Sequence, residues 1–216
     1  MTTLIVVPTR FELGHLLPEV TVDFQAGQLC GALGEQPVVI GGVGPAATAM
    51  NVALALQRTE ATRVILAGIA GAYPGGGLQV GDLVQANEEV FGDLGYRHAD
   101  GHFVTLDAMN LAVAPQPDGD LGCVYPCETW ADLPAVRFLT LGSITNSVEE
   151  SERRFQDFGA AVENMEGAAA AMVCRNLGRE FATLRAVSNL TGPRNPKQWQ
   201  IEEPLQRLGA ILRTLV

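Results

Sequence analysis

The chain has 216 residues, 47% hydrophobic and 18% charged, with a net charge of −10 at neutral pH. This length and balance fit one globular domain over residues 1–216 with a full-sized core. The acidic surplus excludes nucleic acid and anionic membrane as expected partners, because binders of phosphate backbones cluster Lys and Arg.

The opening "MTTLIVVPTRFE" contains an apolar run far shorter than the roughly 20 residues of a membrane span, without the basic start or cleavage site of a signal peptide, so a cytoplasmic location is expected. Its Leu4–Val7 segment predicts a first strand, and the same β-branched, apolar character predicts strands at Pro37–Gly41, Arg63–Gly68, Asp82–Ala86, Arg137–Gly142 and Phe181–Val187. Helical periodicity alternates with them at Pro45–Gln57, Val148–Phe158, Met165–Asn176 and Pro204–Thr214, the first with proline in its opening turn. Such alternation predicts an α/β fold with a central mixed, largely parallel sheet flanked by helices. The more polar Leu83–Phe103 stretch predicts antiparallel strands or a hairpin, and "VAPQPDGDLG" (Val113–Gly122) predicts a surface loop.

Two glycine-rich loops follow predicted strands. Gly42, Gly44 and Ala47 have the G-x-G-x-x-A spacing of dinucleotide sites, but after the second strand and with no acidic strand end at the expected distance, so tight strand-to-helix packing is expected and no nicotinamide cofactor. "AGIAGAYPGGG" (Ala67–Gly77) has no G-K-[ST] and is no P-loop; its small residues bring backbone close to a sugar or to a neighbouring strand. The four cysteines lack zinc-site spacing and are expected as reduced thiols. His98 and His102 are four residues apart, but "YRHADGHF" reads as a turn in which that spacing creates no shared face, so no metal is expected.

In "LRAVSNLTGPRN" (Leu184–Asn195) a buried strand gives way to loop at Ser188 and Asn189, the edge of an open α/β sheet where ligands bind.

Three pieces in order, "VILAGIAGAYPGGGLQVGDLV" (Val64–Val84), "AVENMEGAAAAMVC" (Ala161–Cys174) and "LRAVSNLTG" (Leu184–Gly192), resemble the nucleoside phosphorylase and nucleosidase superfamily. The chain is similar to the methylthioadenosine nucleosidases and most similar to the futalosine hydrolases of menaquinone biosynthesis. The resemblance implies the three-layer phosphorylase/hydrolase-like fold, a small-molecule nucleoside substrate, no cofactor and a homodimer or higher homo-oligomer.

Cleavage of a purine from ribose passes through an oxocarbenium-like sugar, which calls for negative charge at the ribose, a water on the far face and help for the departing base. The resemblance gives the first task to Glu166, able to accept from both ribose hydroxyls, with Met165 lining the sugar; capping of the following helix is the plainer role for Glu166. Glu12, after the first strand, is the expected water-activating base, against a surface glutamate opening a helix, with Glu19 the nearest other acid. Where adenine-cleaving relatives carry aspartic acid, this chain has Asn189, which cannot give up a proton. It suits a 6-oxopurine such as hypoxanthine, whose O6 takes up developing charge, and Ser188 is expected to orient the amide. A flipped amide would suit adenine, so methylthioadenosine or adenosylhomocysteine hydrolysis is the enzyme alternative and a nucleoside-binding sensor the non-enzyme one. Phosphorylase relatives carry an arginine where this chain has Leu66 and Ala67, which favours water as nucleophile; the family's small hydroxyl residue falls at Ile69. Arg194, with Lys197 and Trp199, is expected to meet a carboxylated aryl group on the ribose 5′ side, against a solvated loop.

Overall fold

The computed structural model describes residues 1–25, 27–114, 119 and 122–216, so most of the expected Val113–Gly122 loop lies outside the described residues. In chain order the elements are β1 (Thr3–Val7), α1 (Arg10–Leu16), β2 (Asp23–Gln25), β3 (Gln28–Leu33), β4 (Gln36–Ile40), α2 (Pro45–Arg58), β5 (Arg63–Ala72), β6 (Leu83–Phe91), β7 (Gly95–Arg97) and β8 (Phe103–Thr105). They continue with β9 (Val124–Pro126), β10 (Ala135–Thr140), α3 (Val148–Phe158), β11 (Val162–Asn164), α4 (Gly167–Asn176), β12 (Glu180–Leu190) and α5 (Glu202–Leu215).

One mixed sheet runs in the order β11-β10-β6-β12-β5-β1-β4-β3-β2, with β9 added to β6. Strand β1 lies parallel between β4 and β5, and β12 parallel to β5, which makes the middle of the sheet parallel. Strand β11 pairs with β10 and also, antiparallel, with Gly71 and Ala72 of β5, so that β5, β12, β6, β10 and β11 close on themselves.

The three layers follow from alternation along the buried strands. Leu4 and Val6 of β1 face α2 and α4 with Val52, Leu56 and the alanines of α4, whereas Ile5 and Val7 face α1 and α5 with Leu13, Leu16, Leu205 and Leu208. Each fully buried Leu or Ile contributes about 1.5–3 kcal/mol, so this sandwich rather than helix propensity holds the short α1 in place.

Several expected boundaries move, β10 and α5 by up to two residues and others further or with a clear cause. Strand β5 runs on to Ala72 instead of ending at Gly68, because β12 and β11 supply ladder partners on both sides of its glycine-rich end. Strand β6 runs on to Phe91, with β10 beside it, and β12 to Leu190. Helix α4 begins at Gly167 rather than Met165, since the Asn164 side-chain oxygen accepts from the Glu166 and Gly167 N–H groups at 2.8 and 2.7 Å and holds Met165 and Glu166 outside the helix. Leu83–Phe103 does supply antiparallel pairing, β6 with β12 and β9, and then the β7–β8 hairpin. The turn expected in "YRHADGHF" is the tip of that hairpin, but it does create a shared face: His98 and His102 stand opposite one another, His98 N donating to His102 O at 2.9 Å, with ring centroids 4.9 Å apart and Asp100 beside them, all three exposed. No helix among the described residues is long and apolar enough to cross a membrane.

Candidate active site

The C-terminal ends of β1, β4, β5, β11 and β12 meet around a cavity of about 360 Å³. Its wall is mostly apolar, with Pro8, Phe11, Val43, Ile69, Met165 and Ile201, and its polar members include Glu12, Glu163, Glu166, Ser188 and Asn189. The structure thus brings Glu12, Met165, Glu166, Ser188 and Asn189 together, although they are spread over much of the sequence. Arg194 does not join them; it lines an adjoining cleft that shares Asn189, Ile144 and Trp199 with the cavity, and its guanidinium lies 5.4 Å from the Trp199 ring centre.

Glu12 is buried, 5% exposed, rather than a surface residue. The T-x-x-E start of α1 explains this: Thr9 caps the helix by accepting from Glu12 N at 3.1 Å and donates its hydroxyl proton to Glu12 Oε2 at 2.6 Å. The other carboxylate oxygen accepts from Ile69 N at 3.1 Å, so the backbone of a residue without a hydroxyl holds the acid in place. Burial pushes the Glu12 carboxyl above its ordinary range, against the opposing hydrogen bonds from Thr9 and Ile69 and the Arg185 charge.

Glu166 stands at the start of α4, but its side chain makes no cap bond. Asn164 caps in its place, and Thr140 Oγ1 accepts from Ala168 N at 2.8 Å, which frees the Glu166 carboxylate to face Arg185 Nη2 at 3.2 Å and Gly44 N at 3.3 Å. Gly44, with φ of 89°, uses the left-handed region open to glycine to aim that N–H across the β4–α2 turn. The tight strand-to-helix packing expected of the first glycine loop is seen at Gly42, where an added Cβ would lie 2.9 Å from Ala47 Cβ, and at Gly44 a protein carboxylate approaches its backbone.

Sequence reasoning missed Arg185, Asn164 and Glu89. Arg185 is fully buried and bonds Ile69 O at 3.3 Å, Asn164 Oδ1 at 3.3 Å and Glu166 Oε2. The available signal was a lone arginine inside the apolar run "FATLRAV", since a charge inside a strand buried on both faces requires a partner. Glu12 and Arg185 meet over Gly68, where an added Cβ would lie 2.6 Å from Glu12 Oε1 and 2.8 Å from Arg185 Nη1. Gly68→Ala is expected to cost about 1–3 kcal/mol of stability and to displace Glu12, with kcat falling more than KM rises; urea unfolding beside steady-state kinetics checks both.

At the other end of the cavity the pairing of β12 with β5 shifts register between Val187 and Asn189, a bulge that re-aims the strand end. Ser188 Oγ donates to Asn189 Oδ1 at 2.8 Å, and Asn189 Nδ2 donates to Leu190 O at 3.0 Å. The Leu190 carbonyl fixes the amide, because a flip would set oxygen against oxygen; one N–H of Asn189 and one lone pair of its oxygen remain for a ligand.

Buried carboxylates beside a buried guanidinium at a sheet edge, opposite an oriented amide, define an α/β protein whose small-molecule site is equipped for proton transfer and for gripping hydroxyl groups. The chain belongs to the phosphorylase superfamily, whose family model matches residues 5–216. It is 34% identical to a futalosine hydrolase of Thermus thermophilus over 81% of this chain and 78% of that protein. A 5′-methylthioadenosine/S-adenosylhomocysteine nucleosidase of Colwellia psychrerythraea is 29% identical over 82% of this chain and 75% of its own length. The native structure of futalosine hydrolase of Helicobacter pylori superposes with a TM-score of 0.78 at 18% identity, covering 100% of this chain and 97% of the other, a match of fold.

Proposed function

We propose that the chain hydrolyses the N-glycosidic bond of futalosine, releasing hypoxanthine, as a step of menaquinone biosynthesis. The observation that carries this reading is Asn189 held by Ser188 and Leu190 in the cavity that also holds Glu12 and Glu166, and the identity with futalosine hydrolases supports it. In this mechanism Glu12 takes a proton from water as the water oxygen bonds to C1′. The C1′–N9 bond breaks and its electron pair passes into the purine. Glu166 accepts from the ribose hydroxyls and stabilises positive charge on the ring, and Met165 lines the sugar. N7 takes a proton from solvent water as the base departs, and Glu12 returns its proton to solvent; Asn189 donates to O6 and accepts from the N7–H so formed, so no enzyme group has to protonate the base. Among the described residues that line the cavity there is no Lys or Arg to hold phosphate, which supports water as the nucleophile. The reading takes residues 1–216 as one catalytic domain, cytoplasmic and homo-oligomeric, acting without cofactor or metal.

Release of free base from futalosine, inosine, methylthioadenosine and aminodeoxyfutalosine, each with and without phosphate, tests the proposal. Hypoxanthine from futalosine independent of phosphate supports it. Adenine release from methylthioadenosine alone would move the assignment to the 6-aminopurine nucleosidases, and binding without turnover to a sensor.

Arg194, stacked on Trp199, is proposed to pair with a carboxylate on the 5′ extension. Arg194→Ala is expected to raise KM for futalosine about 10-fold or more and to leave inosine nearly unchanged; equal effects on the two substrates would remove Arg194 from the site.

A further inference from the structure

Glu89 lies inside β6, completely buried, and is not among the residues that line the cavity. Its carboxylate accepts from Thr140 Oγ1 at 2.8 Å and from Asn164 Nδ2 at 3.1 Å to each oxygen. It also fills the space that a Cβ on Gly167 would need, so it backs directly onto the start of α4. When ionised, a carboxylate only accepts, so the amide facing it must present its NH2 group, and the amide oxygen must then face the other way. On that other side stand three donors: Glu166 N, Gly167 N and Arg185 Nη2. A flipped Asn164 would turn N–H groups against all three and its oxygen against the carboxylate. The buried acid on one side and the three donors on the other thus agree on the polarity of the amide that fixes the backbone of Glu166, and Arg185 bridges that amide to the Glu166 carboxylate at 3.2 Å.

We propose that Glu89 is a positioning residue for the ribose grip, acting through the orientation of Asn164 on Glu166 and Arg185. This rests on the reading of Glu166 as the carboxylate that binds the ribose hydroxyls. Glu89 touches no substrate, and its effect is confined to how well the sugar hydroxyls are recognised.

The test compares kcat/KM for futalosine and for its 2′-deoxy analogue in three variants. Glu89→Gln, nearly isosteric, is expected to lower kcat/KM on the ribonucleoside about 10- to 100-fold and to bring the ribo-to-deoxy ratio toward one. Asn164→Asp, which sets two carboxylates face to face, is expected to be impaired likewise. The exchange E89Q/N164D is expected to recover most of both quantities, because the new carboxylate at position 164 accepts from the new amide at 89 and from the same three donors. Wild-type constants in Glu89→Gln, equal losses on both sugars, or a folded exchange variant without recovery would each overturn the proposal. Should Glu89→Gln fail to fold, the exchange variant decides alone: a retained ribose preference supports the proposal and a lost one overturns it. If the wild-type protein cleaves methylthioadenosine rather than futalosine, only the substrate assignment falls, and the same ratio is read on methylthioadenosine and its 2′-deoxy form. If it cleaves neither, calorimetric binding of inosine against 2′-deoxyinosine supplies the ratio.

Discussion

Glu12→Gln is expected to slow base release by about 10²–10⁴-fold while the protein stays folded, the range a positioned general base contributes. Gln preserves shape and can still accept from Ile69 N, but it cannot take a proton from water. The effect falls on kcat more than on KM, because the lost interaction belongs to the transition state. The pH profile gives the independent check. Burial raises the Glu12 carboxyl above its ordinary 4.5, and the base works only when ionised, so wild-type kcat/KM is expected to climb with pH through a limb lying above the usual carboxylate range. In the Gln variant the residual activity is expected to lose that limb. A wild-type limb that persists unchanged in Glu12→Gln would assign the base to another group.

Arg185→Leu is expected to be the most destabilising substitution in the site, at about 3–5 kcal/mol, since it strips the buried acids of their cation. Its side chain is 1% exposed and faces the Glu166 carboxylate directly. The loss is also expected to depend on pH. Burial already raises Glu89 to about 7, with Arg185 the largest opposing influence, so removing the guanidinium raises it further. A carboxyl whose folded pKa lies above its unfolded value favours the folded state in the protonated form, and that contribution disappears as pH rises through the folded pKa. Between the ordinary 4.5 and about 7 Glu89 is protonated in both folded proteins, so both lose this contribution alike. Above about 7 it is ionised in wild type and still protonated in the variant, and the gap in Tm should accordingly be steady below about pH 7 and widen above it. A gap independent of pH would show that Arg185 acts through packing instead of charge. Arg185→Lys keeps the charge but not the forked donors that reach Ile69 O and Asn164 Oδ1 together; a smaller stability loss is expected, with impaired catalysis.

Much of the architecture is written locally. Helix periodicity predicts α3 at its observed boundaries, Val148–Phe158, and the signals that fix them are near neighbours: Ser147 accepts from Glu150 N at the start, and Gly159 takes the left-handed φ of 61° at the end. Apolar runs likewise placed the buried strands and the α/β class, since a strand covered on both faces must be continuously apolar. Glu12, Met165, Glu166, Ser188 and Asn189 were legible because strand ends and short motifs carry them, and resemblance gave those motifs an order.

Only the tertiary structure decided what these residues do for one another. That Glu166 is free for a ligand depends on Asn164 and Thr140 taking over the helix cap, and Thr140 lies 28 residues before its bonding partner. Gly44 meets Glu166 across 122 positions and Arg185 meets Ile69 across 116. The extension of β5 to Ala72 waited on two strands from later in the chain, and the closed ring of five strands on β11, three residues long and without a periodic signal of its own. Periodicity and capping report which groups a residue can satisfy within a few positions. Buried charges such as Glu89 and Arg185 are satisfied only by partners that folding brings from elsewhere, so their places in the site are a property of the packed sheet.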